Sequence, residues 1–114
     1  MVAKRAYVPS RGDIMWLDLD PIRGHEQSGR RPALVLSSKA YNAKSGLAAA
    51  CPITSQAKGY PFEVAFKTQA IQGVILSDQI RSIDWNERRA EKACALSATA
   101  LSEVQDFIQK LVAD

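Results

Sequence analysis

At 114 residues the chain allows one domain, spanning 1–114, with a modest core that an oligomer would help to complete. It is 46% hydrophobic and 24% charged, an ordinary balance for a globular protein and not that of a disordered or fibrous one. The formal charge of +3 is uneven: 14 Lys/Arg face nine Asp/Glu before residue 96, and one faces three after it. Such a body favours an anionic partner such as RNA or DNA, although a mildly basic solvated surface is the plainer reading. No apolar run follows Lys4 and Arg5, and none approaches bilayer length, so a cytoplasmic chain without a membrane partner is expected. Cys51 and Cys94 form no CxxC pair and imply no zinc site.

Residues 13–20 alternate with period two, placing Met15, Leu17 and Leu19 on one face and Ile14, Trp16, Asp18 and Asp20 on the other. Residues 21–32 read as a loop, marked by Pro21, Gly24, Gly29 and Pro32. That loop holds the only histidine, His25, with Glu26, Arg23, Arg30 and Arg31. A proton acceptor, a proton shuttle and several guanidinium forks together suit chemistry on a phosphodiester. Residues 33–37 form a short apolar run, as a buried strand does, and Tyr41 and Asn42 suit a short helical turn. Residues 47–53 read as a further strand, with Pro52 at an edge or bulge. Phe62, Val64 and Phe66 alternate with Glu63 and Ala65. Residues 73–77 run directly into 78–83, as one bent strand or two. Residues 84–92 mix signs and read as a solvated loop. The C-terminal segment is helical, with Leu101, Val104, Ile108 and Leu111 on one stripe widened by Phe107 and Val112. Ser97 suits its N-cap, with Leu96 stapling against Leu101. Several short strands and one terminal helix predict a mainly β fold, a small barrel.

Seven fragments then occur in series: Gly12-Asp13-Ile14-Met15-Trp16, Asp20-Pro21, Gly24-His25-Glu26-Gln27, Gly29-Arg30-Arg31-Pro32, Pro52-Ile53-Thr54-Ser55, Lys58-Gly59-Tyr60-Pro61-Phe62 and Asp78-Gln79-Ile80-Arg81-Ser82-Ile83-Asp84. In this order and spacing they resemble the MazF/PemK toxins, the ribosome-independent mRNA interferases of toxin–antitoxin pairs. The likeness covers nearly the whole chain and is nearest the MazF branch over residues 58–64. It implies an SH3-like β-barrel with a C-terminal helix, the CcdB/PemK-type toxin fold, assembled as a homodimer. It also implies metal-independent, cofactor-free cleavage of single-stranded RNA, with mRNA as substrate. A MazE-like antitoxin would lay an acidic, flexible C-terminal tail across the dimer and block the RNA groove.

The resemblance carries specific positions. Arg31, before the loop's closing Pro32, and Thr54, in Pro52-Ile53-Thr54, match the family's main catalytic pair. An arginine fork suits a phosphoryl oxygen and the added charge of a pentacovalent transition state, and a threonine hydroxyl can donate to the same oxygens. Read without the resemblance, Arg31 is a solvated surface residue and Thr54 closes a strand end. Glu26 and His25 match the positions expected to move protons between the ribose 2′-OH and the departing 5′-oxygen. The Kid branch shares Gly-His-Glu-Gln, whereas other MazF-like members lack the histidine, so His25 is an acid, a base or an RNA contact. Asp78 matches an aspartate of the Kid branch, but Leu76 stands where that branch has an arginine, which leans the chain toward MazF chemistry. Arg30, Ser55, Gln56, Lys58, Asp78, Gln79 and Arg81 are the expected RNA contacts. Trp16 is either a base-stacking residue or, more plainly, a core aromatic. The alternative function is a non-catalytic toxin on the same barrel, like CcdB, binding a protein target such as DNA gyrase.

Overall fold

Side chains alternate across the central strands, and here both faces are apolar. Ile14, Leu34, Cys51 and Ile53 face one way and join Val64, Ile75, Leu96 and Val104 in a first core cluster. Met15, Leu17, Ala33, Val35, Ala48 and Ala50 face the other way and meet Ile83, with Tyr7, Trp85 and Ala90 packed against them. The structure, a computed structural model, describes residues 7–18 and 29–113. The strands between the clusters are β1 (Asp13–Asp18), β2 (Arg30–Val35) and β3 (Leu47–Thr54). They pair antiparallel, β1 with β2 and β2 with β3.

The sheet continues beyond β3 through β5 (Gln72–Leu76) to β4 (Glu63–Lys67), and beyond β1 to β7 (Glu91–Ala95). β6 (Arg81–Asp84) pairs with β3 from Leu47 to Ala50, while β5 pairs with it at Ile53 and Thr54. The segment expected as one bent strand or two is therefore two strands, separated by a turn in which Gln79 N donates to Leu76 O at 3.1 Å. Pro52 was expected at an edge or bulge. It lies inside β3, opposite Ala33, at the step where the other side of β3 changes partner from β6 to β5. A residue without an N–H fits where a ladder is interrupted.

β1 divides as expected, Ile14 joining the first cluster and Met15 and Leu17 the second, and all three are fully buried because the strand lies between the two clusters. Leu19 and Asp20, which the expected strand also included, lie outside the described residues. Trp16, expected as a base-stacking residue or a core aromatic, is half-buried, opposite Pro32 and Glu91. Residues 84–92 are not all loop, since β7 begins at Glu91 and pairs with β1 across a register shift between Ile14 and Met15. An edge strand buries little, so its polar sequence conceals it.

α1 (Lys39–Ser45) is a full two turns where a single turn was expected. The Ser38 side chain caps its N-terminus by accepting from Tyr41 N, and Gly46 closes it at φ 78°, a left-handed conformation suited to glycine. Asn42 makes it worth building. Buried completely, its Nδ2 donates to Pro9 O at 2.8 Å, its Oδ1 accepts from Ser37 Oγ at 2.6 Å and its carbonyl accepts from Trp85 Nε1 at 3.1 Å. α2 (Ala98–Val112) begins as expected, with the Ser97 side chain accepting from Ala100 N. Val104 is fully buried against the first cluster, and Leu101, Phe107 and Ile108 pack beside it. The stripe outruns the core, leaving Leu111 58% and Val112 72% exposed. The result is a mostly β half-barrel with a C-terminal helix, matching the expected class. No helix among the described residues is long and apolar enough to cross a membrane.

Leu34 is fully buried in the central strand β2 and belongs to the cluster that α2 covers. Leu34→Ala should lower unfolding free energy by about 2–5 kcal/mol in denaturant titrations, the cost of a cavity in a tightly packed core.

Candidate active site

The β2–β3 register pairs Val35 with Ala50, Leu34 with Cys51 and Ala33 with Pro52. Arg31 and Thr54 each lie two residues beyond the last of these pairs, where side-chain alternation along β2 and β3 puts both on the face of the second cluster. Arg31 is exposed, and its guanidinium has no hydrogen-bond or ion-pair partner among the described residues. Thr54 is half-buried, and its Oγ1 accepts from Gln56 N at 3.1 Å. That bond turns the chain out of β3 and leaves the hydroxyl hydrogen free to donate. Arg81 sits opposite Ala50 on β6, on the same face as Ile83, and adds a second exposed guanidinium.

Thr54 has a defined seat. It pairs with Val74 of β5, and a Cβ added to the neighbouring Gly73 would stand 2.6 Å from Thr54 O and 3.3 Å from Ile53 Cγ2. Only a residue without a side chain lets β5 approach the end of β3 this closely. Gly73 is a functional position that motif and charge do not single out, although a lone glycine inside a strand is itself a signal of close backbone approach.

The remaining candidates fall into two groups around β3. Ser55, Gln56 and Lys58 follow Thr54 in an exposed loop, in which the Glu63 carboxylate accepts from Lys58 N at 3.1 Å and from Gly59 N at 3.0 Å. Asp78 and Gln79 lie in the exposed turn between β5 and β6. Burial, with a smaller push from the Asp78 charge, raises the Cys51 thiol to about 12, so it stays protonated at neutral pH. His25 and Glu26 lie outside the described residues.

Arg30, the neighbour of Arg31, is differently employed. Its guanidinium donates to Asp18 Oδ1 at 3.0 Å and to Glu91 Oε1 at 2.7 Å, tying β2 to the end of β1 and the start of β7. Arg89 Nε adds a bond to Asp18 Oδ2 at 3.0 Å. The expected RNA contact thus spends its donors on two carboxylates, which lie 12 and 61 residues away in the chain. The hydrogen bond from Arg30, more than any other influence, holds the Asp18 carboxyl below its ordinary 3.8. One arginine of the pair braces the strand ends, and the other is left with its fork unengaged.

A family model described as PemK-like, MazF-like toxin of type II toxin–antitoxin system matches residues 10–112. The chain is 45% identical over 106 residues to the endoribonuclease toxin MazF of Escherichia coli K12, covering 93% of this chain and 96% of that protein. Its fold superposes on crystalline MazF from Deinococcus radiodurans with a TM-score of 0.84 at 50% identity, covering 96% of this chain and all of that one. A MazE–MazF complex from the same organism gives 0.84 at 46% identity, over 94% and 97% of the two chains.

The Asp18–Arg30 pair makes a pH prediction. Because the folded carboxyl titrates below 3.8, the pair's stabilisation is complete above that value and is lost as pH falls through the lower folded pKa. Arg30→Gln should therefore melt below wild type at neutral pH, and thermal melts should show the gap closing in the acid range below about pH 4. A gap of the same size at all pH values would contradict the pairing.

Proposed function

Because this chain belongs to the PemK-like, MazF-like toxins of type II toxin–antitoxin systems, we propose that it is their endoribonuclease and that Arg31 and Thr54 are the centre of its catalytic site. The observation that carries this reading is an exposed, unengaged guanidinium on β2 and a hydroxyl with a free proton on the neighbouring β3, each two residues past the last pair of the two strands and on the same face. The named relatives are endoribonucleases, which favours cleavage over the CcdB-like, gyrase-binding alternative.

The reaction is an in-line transfer on RNA. The ribose 2′-oxygen attacks the adjacent phosphorus, its proton leaves to a base, and the bond from phosphorus to the 5′-oxygen breaks as that oxygen takes a proton. The products are a 2′,3′-cyclic phosphate and a 5′-OH end. Negative charge grows on the non-bridging oxygens in the transition state. Arg31 offers two parallel donors to those oxygens, and Thr54 offers a third from the facing strand. Donors carried on neighbouring strands of one sheet need little backbone reorganisation as that charge develops. We assign the two proton transfers to Glu26 and His25. Water and metal are not needed as reactants, because the nucleophile is part of the substrate.

Ser55, Gln56, Lys58, Asp78, Gln79 and Arg81 are proposed to hold single-stranded mRNA around the cut. For Arg30 the proposal is narrower: it positions Arg31, with RNA contact a secondary part. The partner is an antitoxin of the MazE type, whose acidic tail would compete for the same cationic face. A homodimer, a bacterial cytoplasmic location and a single functional domain over 1–114 complete the proposal.

Two outcomes test it. Purified protein in EDTA should cut a long defined RNA at one recurrent short motif, leaving 5′ ends that polynucleotide kinase labels without prior phosphatase. Arg31→Ala should lose roughly 100-fold or more in kcat while keeping its circular dichroism and melting temperature. Full cleavage by Arg31→Ala would overturn the assignment. Gly73→Ala, which pushes on the Thr54 carbonyl, should lose on the order of 10- to 100-fold in kcat with RNA affinity retained, in single-turnover measurements.

A further inference from the structure

Tyr60 is 53% exposed, a large aromatic ring held half in water. It is not loose. Its ring stacks on Phe62 with centroids 5.2 Å apart and planes inclined by 12°. The loop around it is pinned at several points. Glu63 accepts from Lys58 N and Gly59 N, Glu63 N donates to Tyr60 O at 3.1 Å, and Ser77 N donates to Phe62 O at 3.2 Å. Gly59 takes φ 82°, the left-handed turn that swings Tyr60 over Phe62. A ring fixed on one side by a second ring, with much of its surface still in water, is a prepared stacking surface.

Its position ties it to the site. The loop leaves β3 at Thr54 and rejoins the sheet beside Ser77, so it spans the interval between the Thr54 end of β3 and the turn carrying Asp78 and Gln79. Tyr60 stands six residues from Thr54, at most about 20 Å of extended chain. Lys58 lies two residues before it and supplies positive charge for a phosphate backbone.

We propose that the outer face of Tyr60 stacks a base of the single-stranded RNA flanking the bond cut at Arg31 and Thr54, with Phe62 as the backing ring. The inference rests on the nuclease reading above. Stacking engages the π-face that every base has. Tyr60 therefore contributes affinity and not the choice of motif. The phenolic hydroxyl plays no part, so phenylalanine should serve as well.

The test uses the full chain and a defined RNA bearing 2-aminopurine on either side of the cut. Tyr60→Ala should raise KM roughly 5- to 100-fold, leave kcat nearly unchanged, and abolish the quenching of 2-aminopurine seen with wild type. Tyr60→Phe should match wild type in all three. Tyr60→Leu keeps an apolar side chain against Phe62 but cannot stack, so it serves if the alanine variant melts early, and it should behave as the alanine variant does. Unchanged KM and quenching in Tyr60→Ala and Tyr60→Leu, with wild type cutting normally, would overturn the stacking role and leave the nuclease reading intact. So would variants that lose antitoxin binding with RNA affinity untouched, which would assign Tyr60 to the antitoxin's face. Wild type that neither cuts nor binds the RNA would overturn both readings.

Discussion

Burial of β1, β2 and β3 on both faces is the constraint on which the rest of this structure depends. A one-residue slip in any of these strands would carry its side chains to the opposite cluster, exchanging Leu34 and Cys51 for Ala33 and Pro52. The two clusters differ in size and shape, so the register is specified from both sides at once. Arg31 and Thr54 lie just beyond the paired stretch, on the face that this register sets. Their shared face follows from packing several residues away, at positions with no chemical role, and each of those large apolar side chains is worth about 1.5–3 kcal/mol when fully buried.

Around this fixed pair the chain places two supports that work without touching substrate. The Asp18–Arg30–Glu91 set crosses three strands and holds the first residue of β2, next to Arg31. Gly73 supports the other member by having no side chain, so that β5 can close against the Thr54 carbonyl. Charge is divided in the same way. Arg30 is neutralised by carboxylates and has little attraction left for RNA, whereas Arg31 and Arg81 are exposed on one face. A net charge of +3 therefore understates the local field, which depends on which cations are left unpaired.

Much of this was legible in the chain, and the exceptions have physical causes. α2 could be read because its N-cap and stripe are local signals, and only the protruding end, Leu111 and Val112, departed from it. The central strands showed as apolar runs and their alternation split Ile14 from Met15 and Leu17, but that both faces of β1 are buried depends on what packs above and below. β7 was hidden by Glu91 and Lys92, which an edge strand can leave in water. Arg30 and Arg31 are adjacent and identical in type, and only distant partners separate a brace from a free fork. The positions of Arg31 and Thr54 came from resemblance to a family; composition and periodicity offered no means of bringing residues 23 apart onto one face of neighbouring strands. His25 and Glu26 fall outside the described residues and rest on that resemblance.

The central claim is that Arg31 and Thr54 act as one unit on one transition state. A double-variant cycle in single-turnover RNA cleavage tests it most directly, comparing Arg31→Ala, Thr54→Ala and the pair at saturating protein. The account predicts strong non-additivity, with the double variant little slower than the worse single one, as for groups that share a transition state. Losses that simply multiply would mean that the two side chains act independently, and the account built on the β2–β3 register would be wrong.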